Sequence, residues 1–526
     1  MGHADTERKT GQTPASSGTG RPRGVSRRVF LGSMGAGSAG VVLAARATPA
    51  AQGDSGAPTA TALPTGEALR VQPVLIYYHA QPQERTSWRS YGAIQNPDQA
   101  AAEAKVIGAE LSALAGRSEF PLVFEPAITA NNEEQVQQAA AAGADALLVY
   151  GAGGDWSWPV RLAASGTPNI LFLRHRSGAY YLWHEIAHWR FLRRNEDAMA
   201  EPNMDTGDIV VDDYDEVLWR LRALYALKNA RGTKMLAIGS LAAYSAPAQE
   251  LGPDHARDVW GYEIDIVPRE EFAQRLERAR SDEGVMAEVD RQTTEFLARP
   301  NITLATDRRF VVNSFAAMHV CRELLREKNA FNFGFDYCMG KEVIGMLDTP
   351  PCLVLALAND EGYTAYCHTD LSHTVPGVLL RWISGKPTFV CNTHYPHDGI
   401  FTVAHCAAPM RMNGRDYEPT TVMTHYESDY GAATKVTYPK GQVVTVVVPN
   451  LHCTQWHGFR GRVADSPSLP ACRSQIDIEV DGDWKALVAG MEGFHAQLVY
   501  GDYLRETGYA LKKVKQVAWR NYSEQA

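Results

Sequence analysis

Short apolar runs alternate with amphipathic stretches from Val71 onward and set the rhythm of the first half of the chain. Residues 74–78, 122–124, 146–150, 169–173 and 209–211 are apolar runs of strand length, and 98–114 and 133–142 carry apolar residues at helical spacing. A short apolar run bounded by turn residues marks a strand buried on both faces, while recurrence every three and four residues marks a helix. A second series of this kind predicts strands at 234–238 and 262–267 and helices at 269–280 and 306–328. Strictly alternating strands and helices imply a parallel sheet covered on both faces. After Pro351 the rhythm changes to β-rich runs at 388–391, 420–425, 433–438 and 443–448, with a hairpin-type turn at Tyr438-Pro439-Lys440-Gly441. The pattern predicts an α/β protein: two parallel-sheet α/β domains at 71–231 and 232–346, then a mainly antiparallel β domain at 347–526. Binding clefts favour domain junctions and the carboxyl ends of parallel strands, so the active cleft is expected where the second domain meets the third.

At 526 residues the chain is too long for one hydrophobic core, and its 45% apolar and 21% charged content is that of a globular protein. Its net charge of −9 conceals a basic start, because residues 1–51 hold seven Lys/Arg against Asp5 and Glu7. Without that segment the chain carries about −14, a balance that argues against nucleic acid and anionic membranes as partners. Ser26-Arg27-Arg28-Val29-Phe30-Leu31, followed by a Gly/Ala-rich apolar run, resembles a twin-arginine export signal. A signal peptide is therefore expected at 1–51, a Gly/Ala/Pro/Thr-rich linker at 52–70, and a periplasmic or secreted product. No stretch is long and apolar enough for a membrane span.

All eight cysteines, from Cys321 to Cys472, lie in the second half of the chain. Export permits disulfides, but Cys352, Cys367 and Cys391 sit inside apolar runs, where reduced cysteine is a common small core residue. Mostly free, buried thiols are expected, and no Cys-x-x-Cys pair points to a thiolate zinc site.

The chemistry concentrates between Phe331 and Met410, where Glu342, Asp360, His368, Asp370, His373, His394, His397, Asp398 and His405 stand at the edges of apolar runs. Carboxylates and imidazoles beside a covered scaffold are what a divalent-metal site needs. Within this stretch Cys352-x-x-x-x-Leu-x-Asn-Asp-Glu-Gly leads into a strand, then His368-Thr369-Asp370, then a helix ending Ser384-Gly385-Lys386-Pro387. A second motif, Phe494-His495-Ala496 followed by Val499-Tyr500-Gly501-Asp502-Tyr503, lies near the end. Together these resemble the C-terminal half of the L-fucose isomerase family, from about Phe331 to Val517.

The resemblance implies an L-fucose isomerase-like fold and a sugar isomerase, an intramolecular oxidoreductase acting through an ene-diolate. It implies Glu342, Asp370 and His495 as ligands of one divalent metal, Mn2+ first and Mg2+ or Zn2+ next, with Glu342 and Asp370 as general acid and base. A small-molecule carbohydrate is the implied substrate and a homo-oligomer the implied assembly. A divalent cation stabilises ene-diolate charge, while carboxylates move the carbon and hydroxyl protons. His368 departs from the family, which carries an acidic residue there, and this opens epimerase, hydratase or lyase chemistry as alternatives. His405 and Trp456 are candidate pocket residues, the latter as a sugar-stacking platform, against the plainer readings of a buried strand end and a surface loop. An exported sugar-binding protein without catalysis is a further alternative.

A competing motif is His184-Glu185-Ile186-Ala187-His188, the H-E-x-x-H pattern of zinc metalloproteases. Against it, Arg190 stands where such helices carry an apolar residue, and no Gly-containing extension follows. The plainer reading is an amphipathic helix carrying Trp183, Ile186 and Trp189. No P-loop or Gly-x-Gly-x-x-Gly fingerprint is present.

Overall fold

Three sheets, the first built largely from runs that the apolar pattern marks, position the helix on which the candidate site is assembled. The computed structural model describes residues 63–181 and 203–523. The expected signal peptide, most of the linker and the motif His184–His188 lie outside them.

The first sheet is parallel throughout, in the order Leu122–Phe124, Leu69–Ile76, Ala146–Gly151, Asn169–Leu173, Ile209–Val211, with Ile128–Ala130 pairing further along Leu69–Ile76. Its central strands are buried along their length apart from Arg70, as a doubly covered parallel sheet requires. Asn96 and Asn132 cap the helices Pro97–Gly116 and Glu133–Ala140 by accepting hydrogen bonds from Gln99 and Gln135. The second sheet is also parallel, in the order Thr364–Cys367, Asn332–Phe335, Lys234–Ile238, Glu263–Val267.

The third element is a closed antiparallel barrel. Val443–Pro449, His495–Tyr500, Phe389–Thr393, Ile400–His405, Ser474–Asp481 and Gln455–Asp465 follow one another, and the last pairs back onto the first. Closure removes the free sheet edges that would otherwise invite pairing with other chains. Ala518–Asn521 adds in parallel on the outside of Gln455–Asp465. A small sheet joins Ala433–Val436 and Thr420–Met423 to Ile302–Ala305. No helix among the described residues is long and apolar enough to cross a membrane.

Mixed α/β architecture with parallel sheets and an antiparallel C-terminal sheet is thus observed, but the chain changes layer later than the pattern predicts. The strand Thr364–Cys367 completes the second parallel sheet, although it lies beyond the expected boundary at 346. A short, fully buried strand reads the same in either setting, so the apolar run could not assign it. The helix Leu371–Ser384 follows, and every residue in it is buried. It packs against the helices Tyr214–Ala230 and Ala246–Trp260 on one side and the barrel strands Val443–Pro449 and His495–Tyr500 on the other. Arg381, inside this helix, donates to the carbonyls of Gly362 and Pro64 at 3.1 and 2.8 Å, which gives its buried guanidinium two backbone partners.

Candidate metal centre

The centre is built where strands of the second sheet end. After Lys234–Ile238 comes Gly239-Ser240, after Asn332–Phe335 comes Asp336, and after Thr364–Cys367 comes His368-Thr369-Asp370. Hydrogen bonds lock the three ends together. Thr369 donates its hydroxyl to the Ser240 carbonyl and accepts from the Ala242 N–H, both at 2.7 Å. Asp336 accepts from the Ser240 hydroxyl at 2.7 Å and from Arg269 at 2.9 and 2.7 Å. The turn leaves His368 in the left-handed region at φ 63°, a conformation that costs free energy and clusters at functional sites. Its carbonyl lies over Gly334, where a Cβ would stand 2.4 Å from the oxygen, so this position accepts glycine alone.

Asp370 caps the buried helix: one carboxylate oxygen, Oδ1, accepts the Ser372 N–H at 2.8 Å. The other, Oδ2, stands 3.7 Å from Nδ1 of His373, one helical turn on. His495 arrives from the barrel, where its backbone pairs with Asn392, and its ring centroid is 4.8 Å from that of His373. Asp370, His373 and His495 are all buried, and each offers a ligand atom within 4.8 Å of the others. A second such group, Cys338, Cys367 and His368, lies on the neighbouring strand ends. Tyr244 touches both groups, with its ring 4.1 Å from His368 and 5.6 Å from His495.

Burial pushes the imidazoles of His373 and His405 down to about 3 and that of His495 down as well, with neighbouring imidazoles acting in the same direction. Burial lowers His368 too, opposed by the charges of Asp370 and Asp336. All four rings are therefore neutral near pH 7, the form in which imidazole binds a metal. Both ring nitrogens of His373 are buried without a hydrogen-bond partner. The Cys367 carbonyl acts on the ring against the effect of burial, but it closes no hydrogen bond of normal geometry. Orphaned buried nitrogens demand an explanation, and a bound ion is one of the few available. Two neutral imidazoles and a carboxylate with an uncapped oxygen fit a divalent transition ion and suit Mg2+ less well.

Beside the centre lies a cavity of about 320 Å³, lined by Tyr244, Asn392, His405, His425, Glu427 and His495, with Cys352, Cys367, Cys406 and Cys472 on its wall. His405 accepts the Ala407 N–H at Nδ1, 3.1 Å away, which leaves its ring proton on Nε2. The Cys406 thiol is lowered to about 7, chiefly by a hydrogen bond from Cys472.

Of the residues that the sequence singles out, Asp370 and His495 come together, with His368 beside them and His405 on the cavity wall. Glu342 does not join them. It stands in the first turn of the helix Lys341–Leu347 with its side chain 76% exposed and paired with Arg269. His373 takes the third place; its spacing of three from Asp370 on a helix was the available signal. Trp456 is 1% exposed and stacks on Trp260, with ring centroids 5.6 Å apart, so it belongs to the core and not to a sugar platform. The cysteines depart from expectation at one place. Cys338 and Cys367 form a disulfide, while Cys321, Cys352, Cys391, Cys406, Cys453 and Cys472 are free. Neighbouring strand ends bring the bonded pair together, a proximity invisible in a separation of 29 residues. No protein-family model matches the chain, and no curated protein matches it.

Proposed function

We propose that the protein is a metal-dependent carbohydrate enzyme, most simply an aldose–ketose isomerase, exported by the twin-arginine route. The observation that carries the metal is His373, whose two orphaned nitrogens lie beside Asp370 and His495. The resemblance at Cys352–Pro387 and Phe494–Tyr503 supplies the reaction class. A cavity of about 320 Å³, in which Asn392, His405, His425, Glu427 and His495 stand among apolar and thiol side chains, has the size for a small substrate and polar groups to orient it.

Asp370, His373 and His495 would hold the ion, which supplies electrostatic stabilisation as negative charge develops on the sugar oxygens. Isomerisation also requires a base to take the carbon-bound proton and a donor for the carbonyl oxygen. Glu427 is the carboxylate on the cavity wall and is the base in this reading. His405, neutral and protonated on Nε2, is the donor. Epimerisation and elimination use the same proton abstraction beside a carbonyl, so the reaction outcome depends on which second proton site the substrate meets.

The test is turnover of a panel of aldoses, ketoses and oxidised sugars with added Mn2+, Zn2+ or chelator. Asp370→Asn and His373→Ala should lose metal and turnover together. Glu427→Gln should keep its metal and lose about 10²–10⁴-fold in rate. Casein hydrolysis abolished by Glu185→Gln, with no sugar turned over, would replace this reading with a protease.

A further inference from the structure

The second donor group is independent of that reaction and carries an inference of its own. Cys338 lies in the turn after the strand Asn332–Phe335, and Cys367 ends the adjacent strand Thr364–Cys367. In-register pairing of Phe335 with Cys367 holds the two turns side by side. His368 follows directly, and its ligand atom lies within 4.8 Å of both sulfurs. All three residues are buried, and His368 is only 6% exposed. Its Nε2 has no hydrogen-bond partner. Tyr337 and His368, each next to one of the cysteines, hold left-handed φ angles of 41° and 63°. Two such residues on adjacent strand ends mark a locally strained clamp.

We propose that Cys338, Cys367 and His368 form a redox-gated site for a thiophilic divalent cation of the zinc class, closed as a disulfide and opened by a small thiol. In the opening step two equivalents of a thiol such as glutathione give two electrons and two protons to the Cys338–Cys367 bond and leave as their own disulfide. The cation then binds both sulfurs and the imidazole, and the two thiol protons are released to solvent. Two thiolates and one imidazole are a zinc-type donor set, and three protein ligands leave one coordination position open. Cys367 also lines the cavity. The buried Nε2 of His368 gains in this state the partner that it lacks in the disulfide state.

Cobalt(II) distinguishes this site from the Asp370 centre, because only thiolate ligation gives a sulfur-to-cobalt charge-transfer band in the near ultraviolet. The purified chain is titrated with Co2+ before and after reduction by a phosphine, which does not itself contribute a thiol. The reduced protein should bind one more Co2+ per chain than the oxidised protein and show the band. Cys338→Ser should lose the band while keeping the visible Co2+ spectrum of the Asp370 centre, which also reports that the variant is folded. His368→Ala should weaken Co2+ binding at the sulfur site by at least tenfold. Asp370→Asn should leave the band intact, so failure of the proposed reaction does not entail failure here. Equal Co2+ uptake in the two redox states, or a band that persists unchanged in Cys338→Ser through the other thiols, would overturn the proposal.

Discussion

Replacing His373 by leucine should stabilise the metal-free protein and abolish its response to metal. In the metal-free state the neutral ring carries one N–H and one lone pair, both fully buried and without partners. Each unpaired buried polar group costs about 1–3 kcal/mol relative to its hydrated state. Leucine fills a similar volume without those groups, so His373→Leu should gain about 2 kcal/mol in chelator. With metal at a hundredfold over its dissociation constant, the wild type gains about 2.7 kcal/mol by linkage and the variant gains nothing. The order of stability therefore reverses when metal replaces chelator. Urea unfolding followed by tryptophan fluorescence reads both arms, and each difference moves the midpoint at an unchanged slope. A leucine variant less stable than the wild type in chelator would show that the ring is satisfied within the protein, and the reason for placing an ion beside it would be gone.

Three further outcomes follow from the same geometry. Burial holds the folded-state His373 and His405 at about 3, against about 6.5 in the unfolded chain, so the unfolded state binds their protons first. The contribution of these two rings should be complete above pH about 6.5 and be lost as pH drops toward 3, with metal released over the same range; the acid limb of the urea midpoints tests it, and His405→Gln should flatten that limb. Asp360, fully buried, is raised to about 8 by burial, so its own contribution runs the other way and is lost as pH rises from about 4 to 8. Asp360→Asn keeps the oxygen that accepts the Met410 and Arg411 N–H groups at 2.9 and 2.8 Å, and it should remove that decline. Gly334→Ala would bring a Cβ against the His368 carbonyl at 2.4 Å, with rigid backbone on both sides. It should cost about 1–3 kcal/mol and lower metal occupancy at Asp370, measured by metal analysis of the purified variant.

Much of the first two sheets was legible because each parallel strand is an isolated apolar run between turns: the runs at 169–173, 209–211 and 234–238 coincide with the observed strands. Closure of the barrel was not legible. Its long members Gln455–Asp465 and Ser474–Asp481 carry Arg460, Arg462, Asp477 and Glu479 at outward or edge positions, which dilutes the apolar signal. At the site, Asp370 and His495 could be named because local motifs flank them. His373 and Cys338 could not be assigned, because their roles arise from neighbours brought together by the helix turn and by adjacent strand ends. Glu342 shows the converse: its type and sequence position fit a ligand, but a short surface helix turns its side chain to solvent and to Arg269.

The enclosure of Leu371–Ser384 on every side also sets a clock. Backbone amides of an element with no solvent-facing side exchange with deuterium only when the layers around it separate, so this helix belongs among the last segments to exchange. Asp370 and His373 ride on its first turn, whereas Tyr244 and Glu427 reach the cavity from loops outside the helices and strands. A captured ion would therefore leave at the pace of the loops over it and not by fraying of the helix that holds it. Entry and exit can be retuned at the rim without loosening the ligands.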